Sequence, residues 1–92
     1  MIVSFRDQDT ADLFAGERAA RFANVRAVAE RKLQQLDAAV TLEALRSPPG
    51  NRLEALRGDR QGSYSIRIND QFRLCFVWRP DGAHEVEIVD YH

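Results

Sequence analysis

The sequence has few of the features that mark secreted, membrane or metal-binding proteins. Cys75 is the one cysteine among 92 residues, which excludes an internal disulfide and a cysteine-rich zinc site and suits a reducing compartment. No stretch approaches the ~18 consecutive apolar residues of a membrane span. The first residues lack the basic start and the apolar run of about 7–15 residues of a signal peptide. We therefore expect a cytoplasmic protein with no membrane association.

The chain is also too short for two hydrophobic cores. Domains usually have about 100–200 residues, so 92 residues predict a single domain over residues 1–92. With 45% hydrophobic and 29% charged residues, the composition is that of a globular protein and not of a disordered one. A domain of this size buries only about 60–65% of its unfolded surface, so a bound partner can add appreciably to its stability.

An overall excess of positive charge, the usual signature of nucleic-acid binding, is missing. Thirteen basic and 14 acidic residues give a net charge of -1. The distribution is uneven, because residues 46–73 carry six arginines against three carboxylates and the rest of the chain is acidic. Twelve of the 13 cations are arginines, whose planar donor fork grips phosphate and stacks on bases. A merely solvated arginine-rich surface is the alternative.

The first half of the chain has the apolar spacing of helices. We predict a short strand over Ile2–Phe5, then a short helix capped by Asp9 or Thr10 and ended by Gly16. Thr41 is the predicted cap of another short helix. Between them, apolar residues at spacings of three and four predict a long amphipathic helix. They are Phe22, Val25, Ala29, Leu33, Leu36 and Val40.

In the second half the apolar period changes to two, which predicts three antiparallel strands with one apolar face each. The alternating residues are Tyr64, Ile66 and Ile68; Phe72, Leu74, Phe76 and Trp78; and Val86 and Ile88. Gly58 and Gly62 flank the turn of a preceding hairpin that includes Leu53. Helices followed by strands predict an α+β fold, with an N-terminal strand and two to three helices on one face of a small curved antiparallel sheet.

The register of the central hairpin carries information about function. Both apolar sets lie on one face only if Ile68 is opposite Phe72, which places Arg67 opposite Arg73 on the other face. Two like charges directly opposite each other are mildly destabilising unless something anionic lies over them. An anionic ligand such as a phosphate is one interpretation. Screening by neighbouring carboxylates or solvent is the other.

The last hairpin returns the end of the chain to the same place. A turn at residues 79–82 brings Asp90, Tyr91 and His92 back beside Arg73. Ribonuclease chemistry needs such groups: a base for the 2′-hydroxyl proton, an acid for the departing 5′-oxygen, and a cation for the charge on phosphorus. The alternatives are that Tyr91 packs at the sheet edge and that His92 frays at the chain end. The sequence contains no metal motif, phosphate-binding loop or nucleotide fingerprint.

Seven short motifs, spread over nearly the whole chain, are specific in combination. They are Ile-Val-Ser-Phe at 2–5, Leu-Asp-Ala-Ala at 36–39, Pro-Pro-Gly-Asn-Arg-Leu at 48–53, Leu-Arg-Gly-Asp-Arg at 56–60, Tyr-Ser-Ile-Arg-Ile-Asn-Asp-Gln at 64–71, Arg-Leu-Cys-Phe at 73–76 and Asp-Tyr-His at 90–92. With these motifs the chain resembles HigB, a branch of the RelE/ParE superfamily of toxins from type II toxin–antitoxin systems. The resemblance implies the RelE-like form of the α+β fold, with the active site on the concave face of the sheet.

The resemblance also implies an activity and a set of residues. HigB toxins enter the ribosomal A site and cleave mRNA there, and we expect this chain to do so without a metal or other cofactor. In this chain it implies that Arg73 steadies the scissile phosphate, while Asp90, Tyr91 and His92 supply hydrogen bonds and proton transfer. Well-characterised members carry a histidine where this chain has Glu54. A carboxylate can act as general base but contributes no positive charge, so the assignment of base and acid stays open.

The same resemblance bears on RNA binding. Arg57 falls where family members carry a basic residue near the phosphate. Together with its neighbours it forms an arginine-rich band that we expect to bind rRNA and the mRNA backbone. The band consists of Arg46, Arg52, Arg57, Arg60 and Arg67. Glu54 has a structural alternative, an ion pair with Arg52 or Arg67.

The partners implied by the family are a HigA-type helix-turn-helix antitoxin, the 70S ribosome with its mRNA, and operator DNA bound only through the antitoxin. Two other functions remain open. One is a non-catalytic ParE-like inhibitor of DNA gyrase, and the other is an inactive remnant that serves as antitoxin partner and corepressor. The Asp-Tyr-His end beside an arginine favours the nuclease, because a gyrase inhibitor has no need of it.

Overall fold

The computed structural model describes residues 1–58 and 62–91 and has the predicted α+β architecture. The two α-helices are α1 (Gln8–Phe14) and α2 (Arg26–Ala38). The strands are β1 (Glu54–Ala55), β2 (Ser63–Arg67), β3 (Phe72–Arg79) and β4 (Gly82–Asp90). Short 3₁₀ helices lie at Ala20–Val25, Leu42–Arg46 and Pro49–Asn51. The strands form one antiparallel sheet in the order β1-β2-β3-β4, and the helices pack on its apolar face.

The N-terminal segment differs from the strand predicted over Ile2–Phe5. It runs parallel to β4 and pairs with it at two isolated bridges, Ile2 with Ala83 and Phe5 with Val86. Backbone hydrogen bonds of 2.8–3.0 Å accompany these bridges. The segment therefore covers the β4 edge of the sheet without becoming a regular strand.

The cap of α1 lies earlier than predicted, so the assignment to Asp9 or Thr10 is wrong. The N-cap is Asp7, whose carboxylate accepts hydrogen bonds from the backbone N (3.0 Å) and the hydroxyl (2.7 Å) of Thr10. The Thr10 hydroxyl oxygen is buried and accepts a hydrogen bond from Ile88 N (3.1 Å), which ties α1 to β4. Gly16 follows the helix with φ +83°, as expected for its ending.

The long helix predicted from Phe22 to Val40 is shorter than its apolar pattern. Phe22 has non-helical backbone angles (φ -112°, ψ 16°), so a 3₁₀ helix precedes α2. Val40 lies beyond the end of α2 and is 90% exposed, which makes its assignment to the core wrong. The central residues of the pattern are fully buried as predicted: Ala29, Leu33 and Leu36. Thr41 caps the next short helix through its side chain, also as predicted.

Candidate active site

The face of the sheet opposite the helices carries a row of polar side chains that crosses all four strands. Glu54 on β1 pairs with Ser65 on β2, Ser65 with Cys75 on β3, and Cys75 with Glu87 on β4. Ser65 and Cys75 are fully buried, whereas the side chains of Glu54 and Glu87 are 58% and 20% exposed. We call this surface the polar face. It has a buried floor and a carboxylate at each end.

Arg73 lies on the polar face, directly opposite Arg67 as the hairpin register predicted. Its side chain is only 11% exposed. Its Nε donates to Ser65 Oγ at 2.8 Å, and its Nη2 donates to the carbonyl oxygen of Arg52 at 2.6 Å. Its hydrogen bonds and its ion pair with the described residues use Nε and Nη2 only. The guanidinium is thus fixed in orientation, with its Nη1 edge available for a ligand.

The carbonyl group that holds Arg73 comes from an unusual piece of backbone. Arg52 ends the 3₁₀ helix Pro49–Asn51 in the left-handed conformation, with φ 47° and ψ 59°. Asn51 is fully buried, and its side-chain amide donates to the carbonyl oxygen of Leu45 at 3.1 Å. This buried amide anchors the loop and so aims the Arg52 carbonyl group at the guanidinium.

Glu54 takes a different partner from the two considered in its structural alternative. Its Oε1 lies 3.7 Å from Nη2 of Arg73, and the ion pairs of residues 1–58 and 62–91 include none between Glu54 and Arg52 or Arg67. The pair is partly open to solvent, because the Glu54 side chain is 58% exposed. An anion that approaches Arg73 therefore meets this carboxylate at the same guanidinium.

Tyr91 lies where the predicted register puts it, beside Arg73. Its backbone N donates to the carbonyl oxygen of Gln71 at 2.7 Å. The centre of its ring is 6.0 Å from Arg73 Cζ, and its hydroxyl is 3.9 Å from Cys75 Sγ. The side chain is half exposed, so the ring covers one side of the guanidinium and keeps its own hydroxyl on the polar face. His92 lies outside the described residues.

Asp90 is not brought onto the polar face with Arg73. It pairs with Phe72, whose ring lies in the core, and side chains of paired residues point to the same side of a sheet. Its Oδ2 accepts a hydrogen bond from Gln71 Nε2 at 3.1 Å. The expectation that the whole tail shares one patch overlooked this alternation between Asp90 and Tyr91.

The predicted RNA-binding arginines occupy different surroundings. Arg67 forms an ion pair with Asp70, so a carboxylate screens it from Arg73. Arg46 pairs with Glu43 at 3.0 Å. The side chains of Arg52 and Arg57 are exposed. Arg60 lies outside the described residues.

Sequence reasoning gave no catalytic or binding role to Ser65, Glu87 or Arg6. Ser65 holds Arg73, and Glu87 forms an ion pair of 3.2 Å with Arg6. The period-two pattern could have placed Ser65 and Glu87 on the face of Arg73 and Cys75. Arg6 had no such signal, because its position depends on the N-terminal segment lying along β4.

Residues 1–58 and 62–91 contain no group of three or more His, Cys, Asp or Glu side chains arranged to hold a metal ion. None of the helices in these ranges is long and apolar enough to span a membrane.

Comparison with known proteins identifies the family of this chain. Residues 3–92 match the family model of the RelE-like toxin of type II toxin-antitoxin system HigB. The chain therefore belongs to the HigB-like family of RelE-like toxins.

Two relatives are similar over parts of the chain. Toxin HigB-1 of Vibrio cholerae serotype O1 is 50% identical over 62 residues, which cover 67% of this chain and 64% of the relative. An uncharacterized protein of Haemophilus influenzae is 43% identical over 55 residues, which cover 60% of this chain and 54% of the relative. The chain thus spans less than two thirds of the length of either relative in these matches.

Proposed function

We propose that this protein, as a single domain over residues 1–92, is the toxin of a type II toxin–antitoxin system and a ribosome-dependent mRNA endonuclease. It cuts mRNA in the ribosomal A site by attack of a 2′-hydroxyl on the adjacent phosphate, without a metal, and so stops translation. Membership of the HigB-like family supports the toxin role. The observation that carries the nuclease activity is the fixed guanidinium of Arg73 with Tyr91 beside it.

Arg73 is suited to stabilise the pentacoordinate phosphorus. A donor that is already oriented costs no reorganisation when charge develops in the transition state, and Ser65 together with the Arg52 carbonyl group provides that orientation. The neighbouring Tyr91 hydroxyl is placed to donate a hydrogen bond or a proton. In this proposal His92 shares the proton transfer, and Asp90 supplies a hydrogen bond from the end of β4. The phosphate binds the Nη1 edge of Arg73 and repels the nearby Glu54.

The proposed function also requires contacts with RNA and with an antitoxin. The arginines at 46, 52, 57, 60 and 67 bind rRNA and the mRNA backbone, a contact that weakens as salt rises. A HigA-type helix-turn-helix antitoxin and the 70S ribosome are the proposed partners, in the cytoplasm. In this proposal the toxin associates with operator DNA only through the bound antitoxin.

The test is primer-extension mapping of mRNA in a reconstituted translation reaction, with the full chain and with a chain that lacks Tyr91 and His92. We expect the full chain to cut mRNA on translating ribosomes and to spare the same mRNA free in solution. We expect the shortened chain to lose the cuts. Absence of ribosome-dependent cuts by the full chain, or equal cutting by the shortened one, overturns the proposal. A parallel supercoiling assay with DNA gyrase detects the alternative inhibitor.

A further inference from the structure

Glu87 is the second carboxylate of the polar face, and its surroundings differ from those of Glu54. Its side chain is 20% exposed, and its Oε2 lies 3.2 Å from Arg6 Nη1. Arg6 reaches this position because its own backbone N donates to the carbonyl oxygen of Val86 at 2.9 Å. Glu87 therefore has a cation of its own, supplied by the segment along the β4 edge and separate from Arg73.

Glu87 also lies close to the proposed reaction centre. Arg73 pairs with Val89, so its two diagonal neighbours are Glu87 on β4 and Tyr91 just beyond the end of β4. Diagonal neighbours in a sheet typically lie about 7–8 Å apart. The Tyr91 hydroxyl reaches to 3.9 Å from the sulfur of Cys75, the residue directly opposite Glu87. Arg73, Tyr91 and Glu87 consequently border one region of the polar face.

A bound phosphate affects the two carboxylates differently. Glu54 lies 3.7 Å from the guanidinium of Arg73. A phosphate on that guanidinium repels Glu54, since both are anions that compete for one cation. The charge of Glu87 is balanced by Arg6, so Glu87 can remain beside the site when Arg73 is occupied. Of these two carboxylates, Glu87 is the better placed to act on an RNA held by Arg73.

We propose that Glu87 is the general base of the mRNA cleavage, with Arg6 as its positioning residue; the inference rests on the proposed function. The Glu87 carboxylate takes the proton of the 2′-hydroxyl while the 2′-oxygen bonds to phosphorus. The bond between phosphorus and the 5′-oxygen breaks, and the departing oxygen takes its proton from the hydroxyl of Tyr91. The products are a 2′,3′-cyclic phosphate and a 5′-hydroxyl.

The experiment compares kcat and KM for ribosome-dependent mRNA cleavage by the wild type and three variants. Glu87→Gln keeps the shape of the side chain but not the base, and we expect kcat to fall by about 10²–10⁴-fold with little change in KM. Arg6→Gln keeps the carboxylate, and we expect a loss of less than about tenfold. Glu85→Gln makes the same charge change at an exposed position of β4 and serves as the matched control with unchanged kinetics.

A purely structural role for the ion pair gives a different result. In that case Glu87→Gln and Arg6→Gln break the same contact and lose activity equally, with parallel drops in the thermal unfolding midpoint. Glu87→Asp adds a check that does not depend on the stability of Glu87→Gln, because it retains a carboxylate and should keep more activity than Glu87→Gln at neutral pH, where that carboxylate is ionised.

The outcomes separate the two proposals. Equal losses at Arg6 and Glu87, cleavage by Glu87→Gln within about threefold of wild type, or an aspartate no better than the glutamine overturns the role of Glu87. The proposed function stands in those cases if the wild type cuts and removal of Tyr91 and His92 abolishes cutting. A wild type that gives no ribosome-dependent cuts overturns both.

Discussion

Arg67 and Arg73 lie directly opposite each other on neighbouring strands, with both side chains on the polar face. Like charges in this relation destabilise a sheet. Arg67 is offset by its ion pair with the exposed Asp70, and Arg73 by Glu54 and the carbonyl oxygen of Arg52. The sheet thus holds two guanidinium groups together by giving each its own acceptor.

Asp70→Asn tests the electrostatic strain between the two arginines. Removing the carboxylate leaves Arg67 opposed to Arg73, so we expect the free energy of unfolding to fall by about 0.5–1 kcal/mol at low salt. About 1 M salt should recover most of the loss, because it screens exposed charges. Urea denaturation at both salt concentrations measures the effect.

The double variant Asp70→Asn with Arg67→Gln is the control for that experiment. With the opposing charge gone, loss of the Asp70 carboxylate should cost almost nothing. An equal cost in the presence and absence of Arg67 contradicts the electrostatic explanation, since the two residues would then contribute independently.

Ser65→Ala tests how the orientation of Arg73 contributes to cleavage. The substitution removes the hydroxyl that accepts a hydrogen bond from Arg73 Nε. The guanidinium then has more orientations in the free enzyme, and the cost of restricting it to one is added to the transition state. We expect a loss of roughly tenfold in the single-turnover rate, with the fold intact. Ser63→Ala is the matched control, because Ser63 is also buried on β2 but pairs with Val77. A similar loss at both serines counts against a specific role for Ser65.

Asn51→Ala tests the loop that carries the Arg52 carbonyl group. The substitution removes the hydrogen bond that Asn51 donates to the Leu45 carbonyl oxygen and the one that it accepts from the ammonium group of Lys32. We expect a loss of about 2–3 kcal/mol in the free energy of unfolding, measured with urea. Asn24→Ala, at an exposed position, should change it by less than about 0.5 kcal/mol. Equal effects contradict the role given to the buried amide.

The pKa of Asp81, in the turn between β3 and β4, should depend on its neighbour His84. The hydrogen bond between His84 Nε2 and Asp81 Oδ1 (2.6 Å) lowers the pKa of Asp81 below its ordinary value of 3.8. A lowered folded-state pKa contributes stability above the ordinary value that is lost as pH falls through the folded one. An NMR titration should show a midpoint below 3.8 in the wild type and a return toward that value in His84→Ala. A midpoint that stays the same in the variant contradicts the assigned cause.

Much of the sheet could be predicted from the sequence, because large apolar residues recur at every second position over most of β2, β3 and the second half of β4. That period fixed the Arg67 and Arg73 pair and brought Tyr91 to the site. Alternation also decides the side of Asp90, but the expectation for the tail followed chain proximity and not the face. The apolar period therefore predicted the side of the sheet correctly for Arg67, Arg73 and Tyr91, where each residue was assigned to a face by its own position.

Other features depend on backbone conformations that side-chain patterns do not reveal. The kink at Phe22 interrupts a helical pattern that continues through it. The left-handed conformation of Arg52 turns its carbonyl group toward Arg73, although arginine rarely adopts that conformation. The nearness of Arg6 to Glu87 arises from packing between distant parts of the chain. Tertiary contacts settle all three.

The most direct test of the nuclease is the rate of ribosome-dependent mRNA cleavage by Arg73→Ala compared with Arg79→Ala. Both variants remove one arginine from β3, but Arg79 lies exposed at the far end of the strand. We predict a loss of at least about 100-fold for Arg73→Ala and less than about threefold for Arg79→Ala. Cleavage by Arg73→Ala at the rate of Arg79→Ala would contradict the proposal that Arg73 holds the scissile phosphate.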